Sequence, residues 1–322
     1  MSIKGGKENV LVMGCGPAGS QHARMLSRLG HSVILHDIDD GKAMALRVAI
    51  MEQEQPVLTP RWVPDASAVG TDFLACVVVA TPTHTHAGII IEQLAMGRTV
   101  VCEKPLALTE QDITMVVRAA LDAEEVHQAP KLYVAESQGY HPDLPTMKRS
   151  IEAGDFGMPV QWQLSMMSSY KSQAWSYEMA GGGGAFLEGG VHMLTVARYL
   201  FGNAVAHTGA FVHTIGDAPD TGTMLVTYAP GHVVTLSIGW GTASLHSGVT
   251  RCPDNRCVLV GPKHAMPFAT DDDREPMWAA LLEAMDAGEE ARITLQMAAG
   301  ACIDVVRAYE NALLWMKGTV EI

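Results

Sequence analysis

Three glycines in the stretch Gly14-Cys15-Gly16-Pro17-Ala18-Gly19 follow an apolar run, Val10 to Met13, and precede a segment with apolar residues at three- and four-residue spacing. A backbone this bare can turn tightly and approach a bulky anion, and a helix starting there adds unpaired N–H groups and the positive end of its dipole. Asp37 closes the next apolar run, roughly twenty positions on, and its carboxylate can accept hydrogen bonds from ribose hydroxyls. Glycine turn, helix start and trailing acid together predict a dinucleotide site. Gly14 makes the tight turn, Gly16 admits the pyrophosphate, Gly19 lets helix and strand pack, and Cys15, Pro17 and Ala18 complete the loop. The alternative is a strand-to-helix turn that binds nothing. A 2′-phosphate would be repelled by Asp37, and "HDIDDG" (36–41) offers no Arg to hold one, so NAD(H) is favoured over NADP(H). Asp39 and Asp40 read as the N-cap region of the next helix.

The elements that must position such a site follow from hydrophobic periodicity. Val10 to Met13, Val33 to His36, Phe73 to Ala80, Thr99 to Cys102 and Lys131 to Ala135 read as strands with helices between them. After the first strand, Ala18, His22, Met25, Leu26 and Leu29 mark one helix face, and Gly30 supplies a stop. Strands alternating with helices predict a doubly wound parallel sheet of the Rossmann type. From about residue 156 the pattern changes. Val160 to Met167, Thr223 to Tyr228, His232 to Gly239 and Arg256 to Val260 alternate polar with apolar, and "APGHVV" (229–234) reads as a hairpin turn. Met166 and Met167 are expected on opposite sheet faces. Helices over Pro276 to Ala287 and Leu295 to Met316 close the chain. The expected architecture is α/β: a dinucleotide-binding Rossmann domain over 1–135, then an α+β substrate and oligomerisation domain with a mostly antiparallel sheet over 136–322.

Composition excludes several classes of partner. A formal net charge of −13 with no basic patch disfavours nucleic acid and anionic lipid surfaces. The longest clean apolar run, Phe73 to Ala80, is too short to span a bilayer, and the first residues carry no apolar signal-peptide core, so a cytoplasmic protein is expected. Six scattered cysteines (15, 76, 102, 252, 257 and 302) do not suggest a disulfide framework. Cys252, Cys257 and His264 have poor spacing for zinc, and His84 with His86 reads as packing near a cofactor rather than as a ligand pair; no metal is expected.

Further motifs fall at the ends of the later strands: "ATPTHTHAG" (80–88), "VCEKPLAL" (101–108) and, further on, "GGGGAFLEGGVH" (181–192). With the glycine turn and "PTMKRSIEAGDFGMPV" (145–160), they make the chain resemble the glucose-fructose oxidoreductase / inositol dehydrogenase (Gfo/Idh/MocA) family of NAD(P)-dependent oxidoreductases over essentially its whole length. The resemblance implies an enzyme whose nicotinamide lies between the Rossmann domain and the face of the antiparallel sheet. It also implies a homodimer or homotetramer joined through the open face of that sheet. Glu103 and Lys104 belong to its most specific motif. Lys104 would contact the substrate oxygen and the nicotinamide ribose, and His192 would exchange the proton. Thr81, Pro82 and His86 match the loop under the cofactor, and Trp175 falls in a segment that lines the substrate pocket. Glu188 stands where the family usually has Asp, Thr195 where it frequently has a second Asp, and "SQGYHP" (137–142) lacks a basic residue often found there, so Tyr140 would face a different substrate group.

Alcohol oxidation needs a hydride acceptor, a group to take the hydroxyl proton and positive charge for the developing alkoxide. NAD, His192 and Lys104 meet those needs, with Glu188 beside His192 if a helix begins near Gly189. The small-molecule substrate expected is a secondary alcohol or ketone of a sugar, amino sugar or cyclitol. Reduction of an imine or another unsaturated bond is the alternative within the same chemistry, and a non-catalytic NAD-sensing regulator is the alternative outside it.

Overall fold

The computed structural model describes residues 9–54, 56–168, 173–213, 215–240, 257–267 and 273–318. Their contacts divide the chain into two units. The first comprises the described residues of Met1–Ala107, Gln111–Tyr140 and Asp273–Leu295, and the second those of Leu108–Glu110, His141–Asp272 and Gln296–Ile322. The chain returns to its first unit at residue 273.

The first unit is built on β1 (Asn9–Met13), α1 (Pro17–Arg28), β2 (Ser32–His36), α2 (Asp40–Gln53), β3 (Arg61–Trp62), β4 (Leu74–Val79), α3 (His86–Ala95), β5 (Val100–Glu103), α4 (Glu110–His127) and β6 (Leu132–Ala135). The sheet runs β3-β2-β1-β4-β5-β6 and every pairing is parallel. Its strands are near-continuous Val, Leu and Ile because helices cover both faces, and Val10, Leu11, Val12, Val77, Val78, Val100 and Val101 are fully buried. Strand order reverses between β1 and β4, and open α/β sheets bind ligands at the carboxyl ends flanking such a reversal. Helix α1 buries Gly19, His22, Ala23, Leu26 and Ser27, so the inner face is turned relative to the one expected from Ala18, Met25 and Leu29. The cause is the close seat of Gly19 on Gly14. Gly30, at φ +89, ends the helix as its sequence position predicts. Asp39 caps α2 by accepting the Gly41 N–H at 3.0 Å.

The second unit contains α5 (Leu144–Glu152), β7 (Gln161–Ser168), α6 (Val191–Phe201), β8 (Ala204–Val212), β9 (Thr221–Tyr228), β10 (His232–Trp240), β11 (Cys257–Val260) and β12 (Ala265–Pro267). After them come α7 (Glu275–Ala287), which belongs to the first unit, and α8 (Leu295–Gly318), nearly all in the second. The second sheet runs β12-β11-β7-β10-β9-β8, antiparallel throughout except for the parallel pair β7 and β10. The turn at 229–231 joins β9 to β10 as a hairpin, with His232 opposite Tyr228. One face of the sheet packs on helices through Phe186, Phe211 and Tyr309, whose rings meet edge to face at 4.9 Å for each Phe211 pair. Behind them Arg198 of α6 grips Asp304 of α8 with two hydrogen bonds of 2.9 Å.

Candidate active site

In the first unit the glycine turn lies against the strand reversal. The Gly14 N–H donates to the His36 carbonyl at 2.8 Å and the Ala80 N–H to the Met13 carbonyl at 2.9 Å, tying the ends of β1, β2 and β4 together. Gly14 adopts φ +94, and a Cβ there would lie 2.5 Å from the Ala80 carbonyl oxygen; a Cβ on Gly19 would collide with the Gly14 carbonyl. Gly16 differs from both, since a Cβ there would meet nothing within 4 Å. The first turn of α1 has no side-chain cap and no acidic residue, and Pro17 occupies its start. Those amides and that open backbone suit a pyrophosphate. Asp37 accepts the Cys15 N–H on one carboxylate oxygen at 2.7 Å and the Asp39 N–H on the other at 2.9 Å. Each oxygen keeps lone-pair capacity for a ribose hydroxyl. Burial and the neighbouring Asp37 push the Cys15 thiol up to about 12, so it stays a thiol and takes no nucleophilic part.

The loop after β4 is fixed from within. Thr85 Oγ1 donates to the Pro82 carbonyl at 2.7 Å and lies 2.7 Å from Thr81 Oγ1. His84 is exposed while His86 is buried, so the two do not share a site. The His86 ring sits between two carbonyl oxygens, Pro105 O at 2.8 Å from Nδ1 and Thr81 O at 2.9 Å from Nε2, and so joins this loop to the turn after β5. Burial lowers the His86 pKa despite those carbonyls. That turn carries Glu103 and Lys104. Glu103 is 5% exposed, and its carboxylate is gripped by His22 and Arg274, which hold it well below the usual carboxylate range against the opposing effect of burial. Lys104 is half-buried. Tyr140, proposed from sequence to meet substrate, is buried with the Arg292 guanidinium 5.5 Å from its ring centre, and burial pushes its phenol up to about 12.

The second unit carries Trp175, Glu188 and His192. Trp175 sits half-buried in a short turn, Ala174–Tyr177, and the bare backbone of Gly181 and Gly182 lies on it: a Cβ at Gly182 would come 3.0 Å from the indole. Helical backbone begins by Ala185 rather than near Gly189, and it passes through a π-turn, Phe186–Gly190, before α6. Glu188 therefore lies inside the π-turn and not at an N-cap, and His192 is more than a turn from the helix start. The helix starts early because Gly184, at φ +80, already reverses the chain and the Ala185 N–H bonds the Pro219 carbonyl. Both Glu188 and His192 are half-buried, and Thr195, the position that lacks the second acid, is 2% exposed. Met166 faces this segment, with its Cε 3.6 Å from the Cβ position of Gly189. Among the described residues no three His, Cys, Asp or Glu side chains are grouped to hold a metal, and no helix is long and apolar enough to cross a membrane. Cys252 lies outside the described residues.

Sequence reasoning did not find the group around Glu103: His22, Arg274 and Trp278. His22 carried a signal, a polar residue on the inner face of α1. Arg274 and Trp278 carried none, being about 170 or more positions away.

Comparison with known proteins identifies the family and the fold. Residues 8–129 match the oxidoreductase family with an NAD-binding Rossmann fold, and residues 145–266 match the GFO/IDH/MocA C-terminal domain. Inositol 2-dehydrogenase 1 of Saccharopolyspora erythraea is 30% identical over 198 residues, covering 60% of this chain and 54% of that protein. The chain thus spans about half the length of the curated relatives it matches. Among solved structures, the WlbA dehydrogenase from Bordetella pertussis, in complex with NADH and UDP-GlcNAcA, superposes with a TM-score of 0.79 at 18% identity, covering 98% of both chains. GenD2 from gentamicin A biosynthesis, in complex with NAD, gives 0.78 at 20% identity, covering 95% of this chain and 94% of that one. At such identities the likeness shows the fold. The first unit is an NAD-binding Rossmann domain, and the chain belongs to the Gfo/Idh/MocA oxidoreductase family.

Proposed function

We propose that the protein is an NAD(H)-dependent dehydrogenase or reductase acting on a secondary alcohol or ketone of a sugar, amino sugar or cyclitol, with Lys104 and His192 as its catalytic pair and Glu188 supporting His192. The observation that carries this reading is the Glu103–Lys104 turn, held at the carboxyl end of β5 in an NAD-binding sheet. The inositol 2-dehydrogenase relatives and the sugar-nucleotide ligand of the WlbA dehydrogenase support the substrate class. Gly16 and the first amides of α1 would hold the pyrophosphate, and Asp37 the adenosine ribose. Bound NAD supplies the hydride acceptor or donor. Lys104 would place its ammonium beside the substrate oxygen and stabilise negative charge as it develops. His192 would take the hydroxyl proton in oxidation and return it in reduction.

The test is NADH and NADPH titration by fluorescence, followed by an absorbance screen of the NAD+-loaded protein against polyols, sugars and cyclitols. Expected are tighter binding of NADH than NADPH, turnover on a member of the panel, and loss of turnover in His192→Ala with NADH binding retained. Full turnover in His192→Ala would remove its proton role. Tight NADH binding without turnover on any alcohol would redirect the reading to imine reduction or cofactor sensing.

A further inference from the structure

Three groups converge on the Glu103 carboxylate. His22 Nε2 lies 2.8 Å from Oε1, Arg274 Nη1 lies 2.5 Å from the same oxygen, and the Lys104 backbone N–H donates to Oε2 at 3.2 Å. Behind His22, the Trp278 indole N–H donates to Nδ1 at 3.0 Å, with the two rings edge to face at 5.5 Å. With the Trp278 N–H on Nδ1, His22 Nε2 faces both Glu103 Oε1 and, at 2.7 Å, Arg274 Nη1, so imidazole, guanidinium and carboxylate form one cluster. Arg274, at the start of α7, is then the cation hydrogen-bonded to this buried anion.

Holding the Lys104 N–H needs an acceptor but no charge; an amide oxygen would serve. A buried carboxylate instead requires a matching cation, because an uncompensated charge at this depth is strongly unfavourable. The chain brings that cation from 171 positions away. On the other side of Lys104, His86 of α3 fixes the Pro105 carbonyl. The residue is thus anchored at its own N–H and at the next carbonyl, one anchor depending on Arg274.

We infer that Arg274 is a positioning residue for Lys104, acting through Glu103, with His22 and Trp278 setting the direction of the second hydrogen bond. The inference rests on the reading of the Lys104 turn as part of the NAD and substrate site. The charged and titratable groups facing Glu103 are His22 from α1, Arg274 from α7, Lys104 from its own turn and His86 from α3.

The experiment measures NADH dissociation constants by fluorescence from pH 5 to pH 9 in Arg274→Met, Arg274→Lys and Trp278→Phe, with the melting temperature of each sample as a check on folding. With its cation gone, Glu103 takes up a proton within this range, as isolated buried carboxyls do. Arg274→Met should weaken NADH about tenfold at pH 6 relative to wild type and recover toward pH 9. Adding Glu103→Gln to Arg274→Met supplies an uncharged acceptor for the Lys104 N–H and should remove the pH dependence, returning NADH affinity to within about threefold of wild type across the range. Arg274→Lys should restore the wild-type profile to within about threefold. Trp278→Phe keeps the packed ring, removes only the indole donor, and should give a loss of about threefold in the same pH direction. Wild-type profiles in folded Arg274→Met, or in Trp278→Phe if Arg274→Met does not fold, overturn the inference. Lys104→Met separates the two levels. If it lowers NADH affinity or turnover while Arg274→Met changes neither, only the positioning role fails; if Lys104→Met changes nothing, the reading of the turn fails and this inference with it.

Discussion

Two glycine-rich turns in this chain look alike in sequence and differ in what their bareness is for. In the first, Gly14 and Gly19 are required by contacts with the Ala80 and Gly14 carbonyls, whereas Gly16 faces open space at a helix start. In the second, none of the four glycines is open in this way: Gly181 and Gly182 are covered by Trp175, Gly183 by Leu187 and Gly184 by Pro219. The first therefore combines a packing requirement with open backbone at a helix start, and the second is packed throughout, shaping the backbone that leads into Glu188 and His192. A run of glycines points to a phosphate only when one of them has room beside it.

The largest effect should come from substituting the glycines that are packed. Gly14→Ala imposes a side chain at φ +94 and against the Ala80 carbonyl, and should cost about 3 kcal/mol or more of stability by denaturant unfolding, with NADH binding lost as well. Gly184→Ala meets the Pro219 carbonyl at φ +80 and should destabilise by a similar amount, yet leave NADH affinity within a few-fold in the folded fraction. Equal loss of NADH binding in both would break the comparison.

Gly16→Ala is the converse case. Its Cβ meets no protein atom, so stability should stay within about 1 kcal/mol while NADH binding weakens roughly tenfold, about 1.4 kcal/mol. Asp37→Ala should weaken NADH by a similar factor and narrow its advantage over NADPH. An unchanged preference by titration would sink the Asp37 assignment.

How far the sequence disclosed this molecule follows from the range of the interactions concerned. The glycine turn, Asp37, the Asp39 cap and five of the six parallel strands are written in contiguous residues and were legible there. Strand β3 has only two residues, too few for a period, and the edge strand β8 (AVAHTGAFV) alternates between half-buried and exposed positions without a matching apolar–polar alternation in its residue types. The early start of the helix before α6 depends on the Pro219 carbonyl, 34 or more positions away, and local spacing alone placed it near Gly189. The return of α7 to the first unit and the ion pair of Arg274 with Glu103 are longer-range still. The candidate site was readable as a set of residues, but the groups that hold those residues still were not.

The smallest effect distinguishes the two units by protonation. His232, in the second unit, is stacked on Phe201 at 4.8 Å and accepts the Val160 N–H on Nδ1 at 3.1 Å, a bond available only to the unprotonated nitrogen. Its burial lowers the folded-state pKa below the ordinary 6.5, so the unfolded chain binds the proton more readily. The stability it contributes is therefore complete above pH 6.5 and is lost as pH falls through the folded value. Glu103, in the first unit, is also depressed, but from 4.5, and its contribution is lost only in stronger acid. Unfolding followed by a probe of each unit should show the second weakening as pH falls below about 6.5 and the first holding until lower pH, except for the share carried by buried His86. His232→Asn supplies an acceptor oxygen that does not titrate and should flatten the loss in the second unit. If that loss persists unchanged in His232→Asn, the acid sensitivity of the second unit has another source.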